Sequence, residues 1–206
     1  MPDFSDEAGA IAVGDKPAAR AALLAARRAL APPSCAAAAA RVQEVLLDLL
    51  GRYRPSCVAG YVPVGREPGG ADLADVIRAA VGPRGRLLLP VLRPDLDVDW
   101  AAYEGPASLT AGQRGVREPV GVRLGRTAVT GADLVVVPAL AVDHRGVRLG
   151  RGGGSYDRVL ARLSGVLTVA LLHDGELLDQ LPAEAHDRPV RSVITPGGGL
   201  TVLPLP

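Results

Sequence analysis

Lysine is almost missing from this 206-residue chain: of 23 basic residues, only Lys16 is a lysine and the rest are arginine. Under so strong a bias, one retained lysine marks a position to follow. An excess of either charge is missing as well. The 23 basic residues face 22 acidic ones for a net charge of +1, so no long-range field gathers nucleic acid or an anionic membrane, and any anion must be held locally. Cysteine is down to Cys35 and Cys57, without the spacing of a metal site. The early apolar residues are broken by Arg20, Arg27 and Arg28, unlike a secretory signal, so reduced thiols and a cytoplasmic setting are expected. Long hydrophobic runs are absent: Leu134 to Val142 is among the longest, contains Pro138 and is too short to cross a bilayer. A soluble chain without nucleic-acid or membrane partners is therefore expected, and as a monomer. Aromatic residues make up 3%, with Trp100 the one tryptophan. What is plentiful is apolar residues, 48% of the chain, enough to fill the core of one domain of this length.

The first fifteen residues carry Pro2, Gly9, Gly14 and scattered acids without periodicity and are expected to form a loose, flexible arm; residues 16–206 then make one domain. From Lys16 to about Leu50 the Ala, Leu and Arg content favours helix. Pro32 and Pro33 stop a first helix, and Ser34 is placed to cap a second. Apolar runs at Val58 to Val64, Arg86 to Val91, Leu134 to Leu140 and Leu167 to Leu172 alternate with helical stretches at Ala71 to Val81 and Tyr156 to Leu163. That rhythm is α/β, with a mainly parallel central sheet and helices on its faces. Residues 92 to 131 are rich in Pro, Gly and Asp and read as an irregular excursion with short strands; Thr195 to Pro206 reads as a final strand or tail.

The segment from Leu134 to Leu163 carries chemistry: a buried-type strand, a glycine-dense loop and an amphipathic helix. Gly150, Gly152, Gly153 and Gly154 let backbone N–H groups turn toward one point, where the next helix also presents its free N–H groups. Arg148 and Arg151 add planar donors suited to phosphate oxygens. Such a cluster can equally be a plain flexible loop. Asp157, in the first helical turn, is placed either to meet a Mg ion carried by a phosphate or to cap the helix. The loop is neither a P-loop nor G-x-G-x-x-G, and Gly153-Gly154-Ser155 lacks the second glycine of a G-x-S-x-G nucleophile turn. His144, His173 and His186 show no zinc spacing and receive no catalytic role.

The run Gly146 to Arg158, GVRLGRGGGSYDR, resembles the signature G-x-R-L-G-x-G-x-G-Y-Y-D of the 5-formyltetrahydrofolate cyclo-ligase family, with Ser155 where the family commonly has the first tyrosine. Lys16-Pro-Ala-Ala-Arg20 is similar to the family's amino-terminal Lys-x-x-x-Arg, and Tyr61 to Glu67 to its substrate strand and loop. Gly115-Val116-Arg117-Glu118-Pro119 and Leu181 to Asp187 match two further family motifs, and Glu176 stands where relatives have glutamine. The resemblance covers roughly residues 16 to 196. It implies a NagB/RpiA/CoA transferase-like α/β domain that closes 5-formyltetrahydrofolate to 5,10-methenyltetrahydrofolate, a ligase reaction of folate and one-carbon metabolism with Mg-ATP as co-substrate. On the same grounds ATP contacts fall to Lys16, Arg20, Arg148, Leu149, Gly150, Arg151, Gly152, Gly153, Gly154, Ser155 and Tyr156. Folate contacts fall to Val62, Glu67, Arg151, Gly152, Gly153, Gly154 and Ser155, catalytic roles to Arg148, Arg151 and Tyr156, and Mg to Asp157 and Asp187. A carboxylate at Glu67 suits the donor edge of a pterin. Trp100 either stacks on the folate or packs in the core. The rival reading is a non-catalytic folate or nucleotide binder on the same fold.

Overall fold

The computed structural model describes residues 15–184 and 186–204. The expected flexible arm thus lies, through residue 14, outside the described residues. Asp15, assigned above to that arm, belongs to the first helix: its carboxylate accepts the Ala18 amide at 2.7 Å as the N-cap of α1 (Lys16–Ala29). The second helix, α2 (Pro32–Tyr53), begins on the proline and not at Ser34. Proline needs no donor at the first helical position and its fixed φ suits it, so Ser34 falls inside the first turn and caps nothing.

The chain continues through β1 (Cys57–Ala59), α3 (Leu73–Val81), β2 (Arg86–Leu92), β3 (Val98–Ala102), β4 (Leu109–Ala111), β5 (Arg117–Pro119) and β6 (Leu134–Pro138). Then come β7 (Ala141–Asp143), β8 (Arg148–Leu149), α4 (Ser155–Ala161), β9 (Leu167–Leu171), β10 (Leu177–Leu178), β11 (Ser192–Thr195) and β12 (Gly199–Val202). The central sheet has the order β12-β11-β9-β6-β1-β2-β3. Its five inner strands are parallel and its two edge strands antiparallel, which agrees with the expected mainly parallel sheet. The expected strand over 58 to 64 pairs only to Ala59, because Pro63 lacks an amide and Gly65 turns the chain at φ +64°. The excursion over 92 to 131 supplies the edge strand β3 and the β4-β5 ribbon.

Both sheet faces are covered. Val58, Leu89, Val136 and Leu171 face α2 and α3, where Leu46, Leu50, Leu73 and Ile77 complete one core. Ala59, Val135, Val137 and Ala170 face the other way, toward Val159 and Leu160 of α4. Alternate residues of one strand thus enter opposite cores, as the pleat requires. Trp100 is wholly buried in the second of these cores, which decides for packing over stacking on a ligand. No described helix is long and apolar enough to cross a membrane.

Helix α1 packs differently. Its apolar contribution is Ala19 and Leu23, set against Leu140, Ala141, Leu149 and Leu181 beside the small β10-β7-β8 sheet. The rest of its hold is polar. The buried Arg27 guanidinium grips Glu176 through Nε and Nη2 at 2.7 and 2.8 Å, and Nη2 also donates to the Ala139 carbonyl at 2.7 Å. Glu176, equally buried, accepts the His173 amide at 2.7 Å. Glutamate in place of the family's glutamine therefore supplies the charge that Arg27 needs.

Removing one member strands the other as an uncompensated buried charge. Arg27→Ala is expected to lower the unfolding free energy by about 3 kcal/mol or more in urea titrations. Arg27→Met combined with Glu176→Leu should cost much less. A double variant as unstable as the single would show that the charge pair does not govern the site.

Candidate active site

The strand order reverses between β1 and β6: from β1 the chain moves outward through β2 and β3, then returns to β6 and moves the other way. The loops leaving the carboxyl ends of these two strands diverge, and a crevice opens between them. A cavity of about 710 Å³ lies there. Tyr61, Val62, Val64 and Glu67 line it from beyond β1, and Pro138, Ala139 and Leu140 from the end of β6. That volume suits a small-molecule site.

The glycine loop closes the crevice from the α4 side, with Gly150, Arg151, Gly152, Gly153, Gly154, Ser155, Tyr156 and Asp157 all on the wall. Gly154 is left-handed at φ +65° as the residue entering α4, and Gly152 stands at φ +98°, where a Cβ would come into contact with the Arg20 guanidinium. Side chains would be strained at both positions. A Cβ on Gly150 would run into the Arg148 guanidinium. Arg20 donates to the Gly150 carbonyl at 2.9 Å and so fastens α1 to the loop. Leu149, assigned above to ATP, departs from its neighbours: its side chain is buried against α1 and does not line the cavity. Strand alternation explains this, since Arg148 and Leu149 are adjacent in β8 and must face opposite sides.

Every acidic residue assigned above meets a cation across or beside the cavity. Asp157 accepts Arg148 Nη2 at 2.9 Å; Glu67 accepts Arg151 Nε and Nη2 at 3.0 and 2.9 Å; Asp187 accepts Lys16 Nζ at 2.8 Å. Glu67 also accepts the Val64 amide through its other oxygen, at 2.9 Å, which folds the turn back on itself. Asp187 is set in place by a chain of local bonds. The fully buried Asp143 carboxylate accepts the Leu181 amide, and the Glu184 amide donates to Asp187 at 2.7 Å. The structure thus brings Lys16, Arg20, Val62, Glu67, Arg148, Arg151, Asp157 and Asp187 to one cavity, although they span 171 positions.

Two polar atoms on the wall have no partner: Arg148 Nε and Tyr156 Oη are buried without a hydrogen bond. Burial and the neighbouring Glu67 charge push the Tyr156 hydroxyl upward against the opposing pull of Arg148, whose guanidinium carbon lies 5.9 Å from the ring centre. Tyr156 therefore keeps its proton and offers a donor, not a base. Among the described residues no three His, Cys, Asp or Glu side chains form a metal cage. Asp157 and Asp187 on a wall lined with arginines and glycine-loop backbone fit Mg carried in by phosphate, because that ion takes one or two carboxylates and completes its shell with phosphate oxygens and water.

The cavity also holds Glu118 and Glu184, to which the sequence reading gave no role. Glu118 is buried, accepts the Leu92 amide at 3.0 Å and packs so tightly on Gly112 that a Cβ there would collide with it. Glu184 shares Lys16 with Asp187 at 3.0 Å. In the sequence the signal for Glu118 and Glu184 is membership in the Gly115 to Pro119 and Leu181 to Asp187 motifs.

Residues 12–196 match the 5-formyltetrahydrofolate cyclo-ligase family. The chain is 44% identical over 152 residues to a 5-formyltetrahydrofolate cyclo-ligase of Mycolicibacterium smegmatis, covering 71% of this chain and 76% of that protein. A protein of the same name from Escherichia coli is 33% identical over 115 residues, 54% of this chain and 63% of its own. The fold is similar to that of a 5,10-methenyltetrahydrofolate synthetase of Aquifex aeolicus, with a TM-score of 0.72 and 28% identity over 91% of this chain and 92% of that one. It is also similar to one from Mycoplasma pneumoniae, at a TM-score of 0.69 and 19% identity over 87% and 97% of the two chains.

The Lys16–Asp187 pair leaves a mark on stability. Burial alone would raise the Asp187 carboxyl, but the hydrogen bonds from Lys16 and the Glu184 amide outweigh it and hold it below its ordinary 3.8. Burial alone would lower Lys16, yet Asp187 and Glu184 hold its ammonium above its ordinary 10.5. A lowered acid stabilises the fold above its unfolded pKa and ceases to as pH falls through the folded value; a raised base stabilises below its unfolded pKa and ceases to as pH rises through the folded one. The pair's contribution should therefore hold between 3.8 and 10.5 and fall away outside that window. Asp187→Asn is expected to shrink the acid-side loss in unfolding free energy measured from pH 5 to pH 2; an unchanged acid limb would contradict the pairing.

Proposed function

Because the chain belongs to the 5-formyltetrahydrofolate cyclo-ligase family, we propose that it closes 5-formyltetrahydrofolate to 5,10-methenyltetrahydrofolate with Mg-ATP, releasing ADP and phosphate. The observation that carries this reading is the meeting of three carboxylate–cation pairs and two unpartnered donors in one cavity. A site with three ion pairs on its wall suits a ligand pair that brings phosphates for the cations and a donor-rich pterin for a carboxylate.

In this reading the formyl oxygen attacks the γ-phosphorus as ADP leaves, N10 adds to the activated carbon, and phosphate departs from it as the N10 proton is lost to the phosphate or to water. The protein's work is placement and charge stabilisation, with no protein nucleophile. Lys16 and Arg20, four residues apart on one face of α1, reach the phosphates from one side of the crevice, and Arg148 and Arg151 from the other. The Arg148 Nε and Tyr156 hydroxyl donate where negative charge develops. Asp157 and Asp187 are the residues that would hold Mg, which would supply neutralisation of phosphate charge there. Glu67 accepts from the pterin donors, and Val62 covers its ring.

The test couples two products. ADP release should require 5-formyltetrahydrofolate and match methenyl formation one to one, whereas a non-catalytic binder takes up both ligands and releases no ADP. Asp157→Asn, which keeps an oxygen for Arg148, should lower turnover by about two orders of magnitude at ordinary Mg and remain folded; near-parental turnover would remove the metal role. Glu67→Gln should weaken 5-formyltetrahydrofolate binding in calorimetry and leave ATP binding measurable. Unchanged folate affinity would refute the pterin contact.

A further inference from the structure

We propose that His173, outside the cavity, is a positioning residue that holds the Glu67 turn in register with α1. Its Nε2 lies 2.9 Å from the Arg66 carbonyl, across 107 positions of sequence. A carbonyl only accepts, so Nε2 must carry the proton and donate. Arg66 immediately precedes Glu67, and the imidazole is buried, so this bond fixes the peptide that leads into the carboxylate.

The contact belongs to a closed circuit. The His173 amide donates to Glu176, which holds the Arg27 guanidinium. The Arg66 side chain reaches back through Nη1 to the carbonyls of Arg27 and Arg28 at the end of α1. Helix, β9 loop and β1 loop are thereby linked in a ring whose members lie outside the ligand space: none of Arg27, Arg66, His173 and Glu176 lines the cavity. At one end of α1 stand Lys16 and Arg20; at the other, the ring holds the turn with Glu67. The ring therefore sets where Glu67 stands relative to the cations.

Within the turn, Gly65 is left-handed and Glu67 accepts the Val64 amide. Those bonds shape the turn but attach it to nothing else. The Arg151 contact is on a half-exposed side chain that the proposed phosphates draw away. With Arg151 engaged elsewhere, the Arg66 carbonyl bond and the Arg66 side chain are the turn's polar ties on the amino-terminal side of Glu67; on its far side the Tyr61 hydroxyl donates to the Pro68 carbonyl at 3.2 Å and Gln43 to the Gly69 carbonyl at 2.7 Å. Loss of the imidazole donor should then show in folate binding and not in phosphoryl transfer.

The inference rests on the reading of Glu67 as the pterin-binding carboxylate, and the experiment separates the two. His173→Phe keeps a ring of similar size and removes the donor; it should raise the KM for 5-formyltetrahydrofolate about five- to tenfold, with kcat and the KM for ATP within about twofold of parental. His173→Gln, whose side-chain amide can donate to the same carbonyl, should restore most of the folate KM. Added to Glu67→Gln, His173→Phe should contribute less than about twofold, because the group it positions is already disabled. A parallel loss in all constants, a full effect in the Glu67→Gln background, or an impaired His173→Gln would overturn the positioning role. So would an unchanged folate KM in His173→Phe where Glu67→Gln does raise it. Should Glu67→Gln itself leave folate binding intact, the failure lies in the reading of Glu67, and the positioning role falls with it.

Discussion

A guanidinium and a carboxylate removed together from water hold this architecture in alignment. Arg27 and Glu176 are buried, bidentate and each bonded further into the backbone. Of the guanidinium nitrogens only Nη1 is left without a partner, and breaking any of the remaining bonds would strand buried charge, which makes the pair intolerant of rotation or slip. Helix α1 needs that constraint because its apolar stripe is short. Lys16, Arg20, Leu23 and Arg27 recur at intervals of four, three and four, so one helical face carries an ammonium, two guanidiniums and a single large apolar side chain. Fixing Arg27 fixes the rotation of the helix, and Lys16 and Arg20 then point into the crevice.

The crevice itself follows from topology. Five parallel strands with covered faces leave their loops at one edge, and the reversal between β1 and β6 separates two of those loops. The side chains assigned to the site gather there because these loops are free of the ladders and apolar packing that commit the strands. The resulting wall is charged and largely paired within itself, with Lys16, Arg148 and Arg151 each matched to a carboxylate. On the proposed reading, a ligand of mixed charge would take over these partners, so that little uncompensated charge arises during binding. Two buried donors without partners, Arg148 Nε and Tyr156 Oη, are the part of the wall that waits for an acceptor.

Departures from the family pattern acquire a physical meaning in this setting. Glu176 replaces a neutral amide in a loop and becomes the counter-ion of Arg27. Ser155 opens α4 on the cavity wall, with the ring of Tyr156 beside it left to cover Arg148. Histidine, given no role by its spacing, enters through a single backbone carbonyl.

The amino-acid sequence by itself determined the local matters. The α/β alternation, the parallel sheet, the glycine loop before α4 and the two opening helices follow from apolar periodicity and from glycine and proline chemistry, which act over a few residues. Family motifs extended that reading to Lys16, Glu67 and Asp187, but as isolated positions. Only the tertiary structure decided which charges meet. That Lys16 serves Asp187, that Glu67 faces Arg151, that Trp100 is core and that Leu149 points away from the cavity depend on strand order and on the seating of α1. These are contacts across tens to more than a hundred positions, and nothing in local propensity encodes them. Charged side chains on a helix read as a solvated face until a fold buries them, which is why Arg27, the anchor of that helix, was invisible in the sequence.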